Sequence, residues 1–305
     1  MDSDQWHMVP LPHNRYVIGH WPYVICHFLK TMFRPGVLLD TFQESFRNKM
    51  FLFFFIVASL IVVSIGLTLN MDVVNGVMRG VTFFGSELHV PAYSVKQWVE
   101  NFQSGLAMFI GTFGMIVALM ATSTLFPQML QKGSIDLLLC RPIPRWRLIT
   151  ARFVGGAAIM AFNAAYLFFG VWIVLGLKSG IWNHGFPLST LLAIFAFIVL
   201  FSVVMIVSVT TESGPAGLLV AATMLMFSPV LAAHERITPA FSSELYRRIF
   251  RSMYWLLPKS AETIGAMRRL IIELPLDIDW VVGTSLAFAL ACYAATVIYF
   301  TRKDY

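Results

Sequence analysis

The chain has 305 residues, of which 58% are hydrophobic and only 12% are charged. A soluble domain carries about 25% charged residues, so this composition argues against a soluble fold, which would lack the charge to cover its core. The net charge of +6 does not indicate a nucleic-acid partner, because the basic residues flank apolar runs, where they report topology and contact anionic lipid headgroups. The composition therefore predicts an integral membrane protein in contact with lipids and without nucleic acid.

Six apolar runs are long enough to cross a bilayer, because a helix rises about 1.5 Å per residue and the hydrocarbon layer is about 30 Å thick. They cover approximately residues 50–69, 104–126, 148–176, 187–209, 215–233 and 280–300. Pro229 lies inside the fifth run, and a proline there can kink or shorten the helix. The pattern predicts an all-α integral membrane fold with six transmembrane helices.

The distribution of basic residues predicts that both termini are cytoplasmic. Basic residues precede the first run, follow the second run and end the chain: Lys30, Arg34, Arg47, Lys49, Lys132, Arg141, Arg145, Arg147, Arg302 and Lys303. Segment 235–279 conflicts with this topology, because it should be external yet is rich in arginine. Within it, residues 247–257 alternate basic and large apolar side chains, as in a helix that lies at the membrane interface.

Two segments precede the first run. Residues 1–34 are predicted to be an N-terminal cytoplasmic segment without a cleavable signal peptide. Residues 37–49 place Val37, Leu38, Phe42 and Phe46 near helical spacing. This periodicity is typical of an amphipathic helix along the inner membrane surface, and it fits a simple cytoplasmic extension of the first span equally well.

The apolar runs contain little that could perform chemistry. Arg152 is the only charged residue within them, whereas ion-coupled carriers and intramembrane proteases need ionisable groups at membrane depth. The phosphate-binding pattern G-x-x-x-x-G-K-[ST] does not occur in the sequence. An enzyme built on His234, Glu235 and Arg236 is disfavoured, because neighbouring residues of a helix point in different directions. We therefore expect no catalytic, metal or cofactor site, and energy that comes from another chain.

The loop after the second run contains a short apolar segment. It consists of Gly133, Ser134, Ile135, Asp136, Leu137, Leu138 and Leu139, and Arg141 and Pro142 follow it closely. Gly133 and Ser134 can end one helix and begin another, and the Arg-Pro pair ends the new one. An apolar helix exposed at this position favours contact with a protein partner or with the membrane surface.

This loop, between two spans, resembles the characteristic segment of ABC-2-type transporter permeases, in particular the subfamily similar to the nitrous-oxide-reductase maturation permease. Residues 44–49, directly before the first run, resemble the cytoplasmic elbow helix of that family. The likeness covers the chain from about Pro35 onward and implies a transmembrane domain over residues 35–305 with a type V-like ABC exporter fold. It also implies a homodimer in the bacterial inner membrane, with two copies of an ATPase subunit that binds ATP and Mg²⁺.

The resemblance further implies roles for individual residues. Gly133 to Leu139 would be the coupling helix that enters a cleft of the ATPase, and Glu44 and Arg47 would support it from the elbow helix. Glu212, in the short turn between the fourth and fifth runs, would be a further contact. Ordinary contact with lipid headgroups is the alternative for these charged residues.

Two functions fit this interpretation. The first is a permease that exports a solute when the partner hydrolyses ATP. The alternative is a membrane scaffold that passes the same motion through segment 235–279 to a periplasmic accessory protein, without moving a solute. The sequence does not indicate which substrate would be transported.

Overall fold

The computed structural model describes residues 49–74, 77–83, 86–88, 95–130, 144–234, 244–276 and 278–303. The predictions for the N-terminal segment, for Glu44 and Arg47 of the elbow helix, and for Gly133 to Leu139 lie outside these residues. In chain order the helices are α1 (Lys49–Thr68), α2 (Val95–Phe109), a π-helix (Ile110–Gly114), α3 (Met115–Thr122), α4 (Leu125–Leu130), α5 (Arg145–Ser179), α6 (Gly185–Thr211), α7 (Gly214–Ala232), α8 (Glu244–Leu256), α9 (Ser260–Ile271) and α10 (Asp279–Arg302).

Among the described residues, five helical segments are long and apolar enough to cross a membrane: Val95–Leu130, which runs from α2 through α4, and the helices α5, α6, α7 and α10. They correspond to the second to sixth predicted runs. The first run forms α1, whose apolar part, Leu52–Thr68, is shorter than the other five. The structure therefore confirms a multi-pass helical membrane protein, and the sixth span stays a prediction.

Helix α1 nevertheless packs beside a spanning helix. The hydroxyl groups of Ser59 on α1 and Tyr166 on α5 form a hydrogen bond of 3.1 Å, and the Lys178 ammonium at the end of α5 donates to the backbone oxygen of Leu69 at 2.5 Å. Hydrogen bonds between helices help to hold membrane bundles together. These contacts fix α1 along the length of α5.

A small antiparallel sheet follows α1, and the all-α prediction did not include it. Its strands are β1 (Leu69–Val74), β2 (Val77–Phe83) and β3 (Ser86–Leu88), in the order β1-β2-β3. Asn75 and Gly76 separate the first two strands in the sequence, and this dipeptide favours a tight hairpin. The sheet lies outside the apolar runs, where backbone groups can satisfy their hydrogen bonds between strands.

Helix α6 is the centre of the bundle. In its apolar stretch of 18 residues, 67% of the residues are buried, against 22–33% in the corresponding stretches of the other four candidate spans. Phe201 of α6 is fully buried and packs against the rings of Phe126, Phe153 and Phe197, with centroids 5.3–5.4 Å away. Because this helix contacts neighbours on most sides, it is apolar around its circumference and carries no charged residue between Gly185 and Thr211.

Segment 235–279, predicted to be an external loop, contains two helices. Residues 247–256, predicted to be an interfacial helix, are helical within α8, and their position at the interface stays a prediction; α9 packs against α2 and α6. Met267 and Ile271 of α9 are fully buried, and the Asn183 amide donates to the backbone oxygen of Ile271 at 2.8 Å. A large part of this segment therefore packs into the bundle. The sequence did not predict this packing, because the segment is rich in charged residues.

Helices α6 and α7 approach each other closely at Gly217. A Cβ atom there would collide with the Ser208 hydroxyl and would lie 2.8 Å from the backbone oxygen of Val204. We expect Gly217→Ala to destabilise the protein by about 1–3 kcal/mol, because backbone atoms cannot move aside. A lower thermal unfolding midpoint in detergent checks this prediction.

The control is Gly283→Ala on α10, where a Cβ atom would meet nothing within 4 Å. This variant should be unchanged or stabilised by up to about 1 kcal/mol, because alanine favours helix. If Gly217→Ala unfolds at or above the midpoint of the parent protein, the close packing of α6 and α7 is wrong.

Candidate functional site

Three chain segments meet at one end of the bundle. The Arg145 guanidinium at the start of α5 donates to the backbone oxygen of Lys303 at 2.6 Å. The Lys303 ammonium, just after α10, donates to a Glu212 carboxylate oxygen at 2.6 Å. Glu212 lies in the turn between α6 and α7. We call this group of Arg145, Glu212 and Lys303 the Glu212 platform.

Glu212 adopts an unusual backbone conformation. Its φ of 55° and ψ of 20° lie in the left-handed region, which usually holds glycine after a helix and which disfavours other residues by about 1–2 kcal/mol. Ser213 is extended, and Pro215 follows in the first turn of α7, where proline starts a helix readily. Strained backbone positions are often found at functional sites, and the Glu212 carboxylate at this one is 55% exposed.

The platform includes a residue that is close in the sequence to the predicted coupling segment. Arg145, the first residue of α5, follows Leu139 by six residues. On the other side, a Cβ atom at Gly214 would lie 2.9 Å from the backbone oxygen of Ser123, so α7 begins against the turn between α3 and α4. The two described segments that flank residues 131–143 in the sequence therefore contact the start of α7 and the end of α10.

The structure thus describes only one of the residues predicted for coupling. Glu212 lies at the platform, and the other nine lie outside the described residues. Arg145 and Lys303 were noted in the sequence only as topology signals. In the structure Lys303 pairs directly with Glu212, and Arg145 binds the Lys303 backbone. Nothing in the sequence pairs Arg145 with Lys303, because more than half of the chain separates them.

A second feature is an apolar groove of about 380 Å³ between α1, the second span, α5 and α6. The exposed rings of Phe109 and Phe113 lie at its rim, so the groove opens toward the outer surface of the bundle. Asn163 of α5 is the amide in its lining. Its Nδ2 donates to the Ile159 backbone oxygen at 3.1 Å, while its buried Oδ1 has no hydrogen-bond partner among the described residues.

The π-helix Ile110–Gly114 forms part of the groove wall. Short π-helices within α-helices occur often at functional sites. A Cβ atom at Gly111 would lie 3.2 Å from the Ile264 side chain of α9. The irregular turn therefore lies between the groove and α9, where a shift of α9 would change the shape of the groove.

Comparisons with known proteins identify the family. A search among curated proteins returns no match. Residues 37–305 match the family described as ABC-2 family transporter protein. The narrower resemblance to the nitrous-oxide-reductase maturation subfamily stays a prediction. Because the match covers most of the chain, the protein belongs to the ABC-2 transporter family, and it is a multi-pass membrane subunit of an ABC transporter that works with an ABC ATPase subunit.

Proposed function

We propose that this chain is the permease of an ABC exporter and that its Glu212 platform faces the ATPase. The observation that carries the proposal is the convergence of the α6–α7 turn and the α10 end on the α5 start, which follows residues 131–143 in the sequence. In this proposal the platform and both termini are cytoplasmic, in a bacterial inner membrane. Two copies of the chain form a homodimer with two ATPase subunits, which bind ATP and Mg²⁺.

ATP binding by the partner would displace the coupling segment Gly133 to Leu139, with support from Glu44 and Arg47. The exposed ion pair between Glu212 and Lys303 is worth about 0–1 kcal/mol, so it can break and re-form during each cycle. The contact of Gly214 with the Ser123 backbone is steric and does not yield as easily. In this proposal the contact between Gly214 and Ser123 transmits the displacement of the coupling segment to α7, and the Glu212–Lys303 ion pair adjusts to the new position.

The groove favours transport over the scaffold alternative. Its wall is shared by four helical segments, and two of them, α5 and α6, each have one end at the platform. Its apolar lining suits the hydrocarbon part of a cargo. The scaffold alternative is supported by α9, which contacts Gly111 of the groove wall and could carry the same motion to an external partner.

Leu138→Glu is expected to abolish stoichiometric co-purification of the ATPase, because a carboxylate would be buried in an apolar docking cleft. Asp136→Arg should act in the same direction by reversing a charge. Mass spectrometry of the complex, purified in mild detergent, measures the ATPase recovered with each variant. Leu274→Glu is the matched control, since Leu274 is 52% exposed and follows α9, at the opposite end of the bundle. Equal recovery with Leu138→Glu and Leu274→Glu would contradict the coupling assignment.

The variant Glu212→Gly distinguishes an effect on the stability of the protein from an effect on its coupling to the ATPase. Glycine relieves about 1–2 kcal/mol of left-handed strain and loses an ion pair worth about 0–1 kcal/mol, so the unfolding midpoint should stay the same or rise. The rate of ATP hydrolysis by the purified complex should fall, because the carboxylate is missing from the platform.

Glu273→Gly provides the control for this variant. Glu273 has a φ of 57° and pairs with Lys96 at 3.0 Å, so the same substitution relieves the same strain at the end of the bundle away from the platform. It should leave the hydrolysis rate unchanged. Equal rates for the two variants would mean that Glu212 has no role in coupling.

A further inference from the structure

Helix α8 has two exposed faces of different chemistry. Leu245, Ile249 and Met253 are four residues apart, and their exposed fractions of 63%, 49% and 44% form one apolar stripe along the helix. Arg248 and Arg251 lie on the adjacent face and are exposed. A helix with an apolar stripe beside a basic face is suited to the boundary between hydrocarbon and headgroups.

The end of α8 is fixed at that boundary by aromatic contacts. The rings of Trp255 on α8 and Trp280 in the first turn of α10 meet edge to face at 4.8 Å. Tryptophans at the ends of spans typically lie at the level of the headgroups. Because α10 begins at Asp279, this contact places the C-terminal turn of α8 at the rim of the bilayer.

Lys259 strengthens the contact between Trp255 and Trp280. Its ammonium lies 4.4 Å from the Tyr254 ring centroid and 4.8 Å from that of Trp280, and its backbone N–H donates to the Ser285 hydroxyl at 3.2 Å. The residue is only 3% exposed, and this burial lowers the pKa of the ammonium. Cation–π contacts of a desolvated ammonium are the stronger ones, so α8 has a rigid anchor.

Next to this anchor the side chains of α8 line an open pocket of about 580 Å³. Its lining is Arg248, Arg251, Ser252, Trp255 and Leu256. Two guanidinium groups and one hydroxyl are donors suited to a phosphate. Arg248 also approaches Glu244 at 3.6 Å, but both side chains are more than 80% exposed (82% and 83%), so this pair competes weakly with a bound anion.

We propose that this pocket binds the phosphate headgroup of an anionic phospholipid whose acyl chains lie along the apolar stripe of α8. The Arg248 and Arg251 guanidinium groups hold the phosphate, and the Ser252 hydroxyl donates a further hydrogen bond. Trp255 and the 72% exposed Leu256 cover the glycerol region. A lipid fits better than a soluble anion, because the stripe and the pocket lie on adjoining faces of one helix at the membrane rim.

This assignment also accounts for the charge of the segment. The arginines of residues 244–256 lie on the side of the membrane opposite the Glu212 platform, where the positive-inside tendency disfavours them. A headgroup site gives these residues a local reason to be basic, since each basic residue near an anionic surface contributes favourable binding energy. The site itself does not depend on whether the protein is an exporter or a scaffold.

Native mass spectrometry of the purified full chain, titrated with dioleoyl phosphatidylglycerol in detergent, tests the proposal. The variant is Arg248→Gln/Arg251→Gln, and both side chains are exposed, so the fold should survive, as gel filtration and the unfolding midpoint will show. Loss of two basic contacts should weaken phosphatidylglycerol binding about 30-fold. Phosphatidylcholine and inorganic phosphate should displace little of the bound lipid.

The matched control is Arg268→Gln/Arg269→Gln, which removes two exposed charges from the last turn of α9. It should bind phosphatidylglycerol within about threefold of the parent protein. Equal losses in the two double variants would overturn the site in favour of general electrostatic attraction. Unchanged binding by Arg248→Gln/Arg251→Gln, or displacement by inorganic phosphate alone, would overturn it as well.

Discussion

Close steric packing around α6 holds the helices of the bundle together. Inside a bilayer the lipid tails are as apolar as leucine, so helices associate through van der Waals contact rather than through the hydrophobic effect. Gly217 lets α7 approach the Ser208 region of α6, and Gly156 lets α5 approach the Phe201 ring, where a Cβ atom would lie 2.9 Å away. Because these contacts leave no room for a Cβ atom, α5 and α7 are closely packed against α6 at these two positions.

This central helix connects α9 with the Glu212 platform. It begins at Gly185, where a Cβ atom would collide with the Leu270 backbone oxygen of α9, and it ends at the Glu212 platform. Over its 27 residues it spans about 40 Å, and an α-helix of that length is stiff. In the proposed mechanism, a displacement at the platform would be passed along α6 to α9, and from α9 to the π-helix at Gly111.

The sequence predicted the helical spans well and the contacts between distant segments poorly. All six predicted runs coincide with observed helices, and the first, fourth, fifth and sixth match the helix ends to within two residues. Each run combines apolar length with Gly, Pro or charged residues at its limits. The sequence did not predict that one face of α9, which includes Met267 and Ile271, is buried, because the neighbouring Arg268 and Arg269 indicated an exposed segment. It also could not pair Glu212 with Lys303, because ion pairing between distant residues depends on the tertiary fold.

Site-specific photo-crosslinking tests the central claim, that the ATPase docks at the Glu212 platform, most directly. A benzophenone amino acid replaces Thr211, which is exposed at the platform end of α6, or Leu274, which is exposed after α9. We expect a covalent adduct with a P-loop ATPase from position 211 and none from position 274. An adduct from position 274, or none from position 211 in a complex that still contains the ATPase, would contradict it.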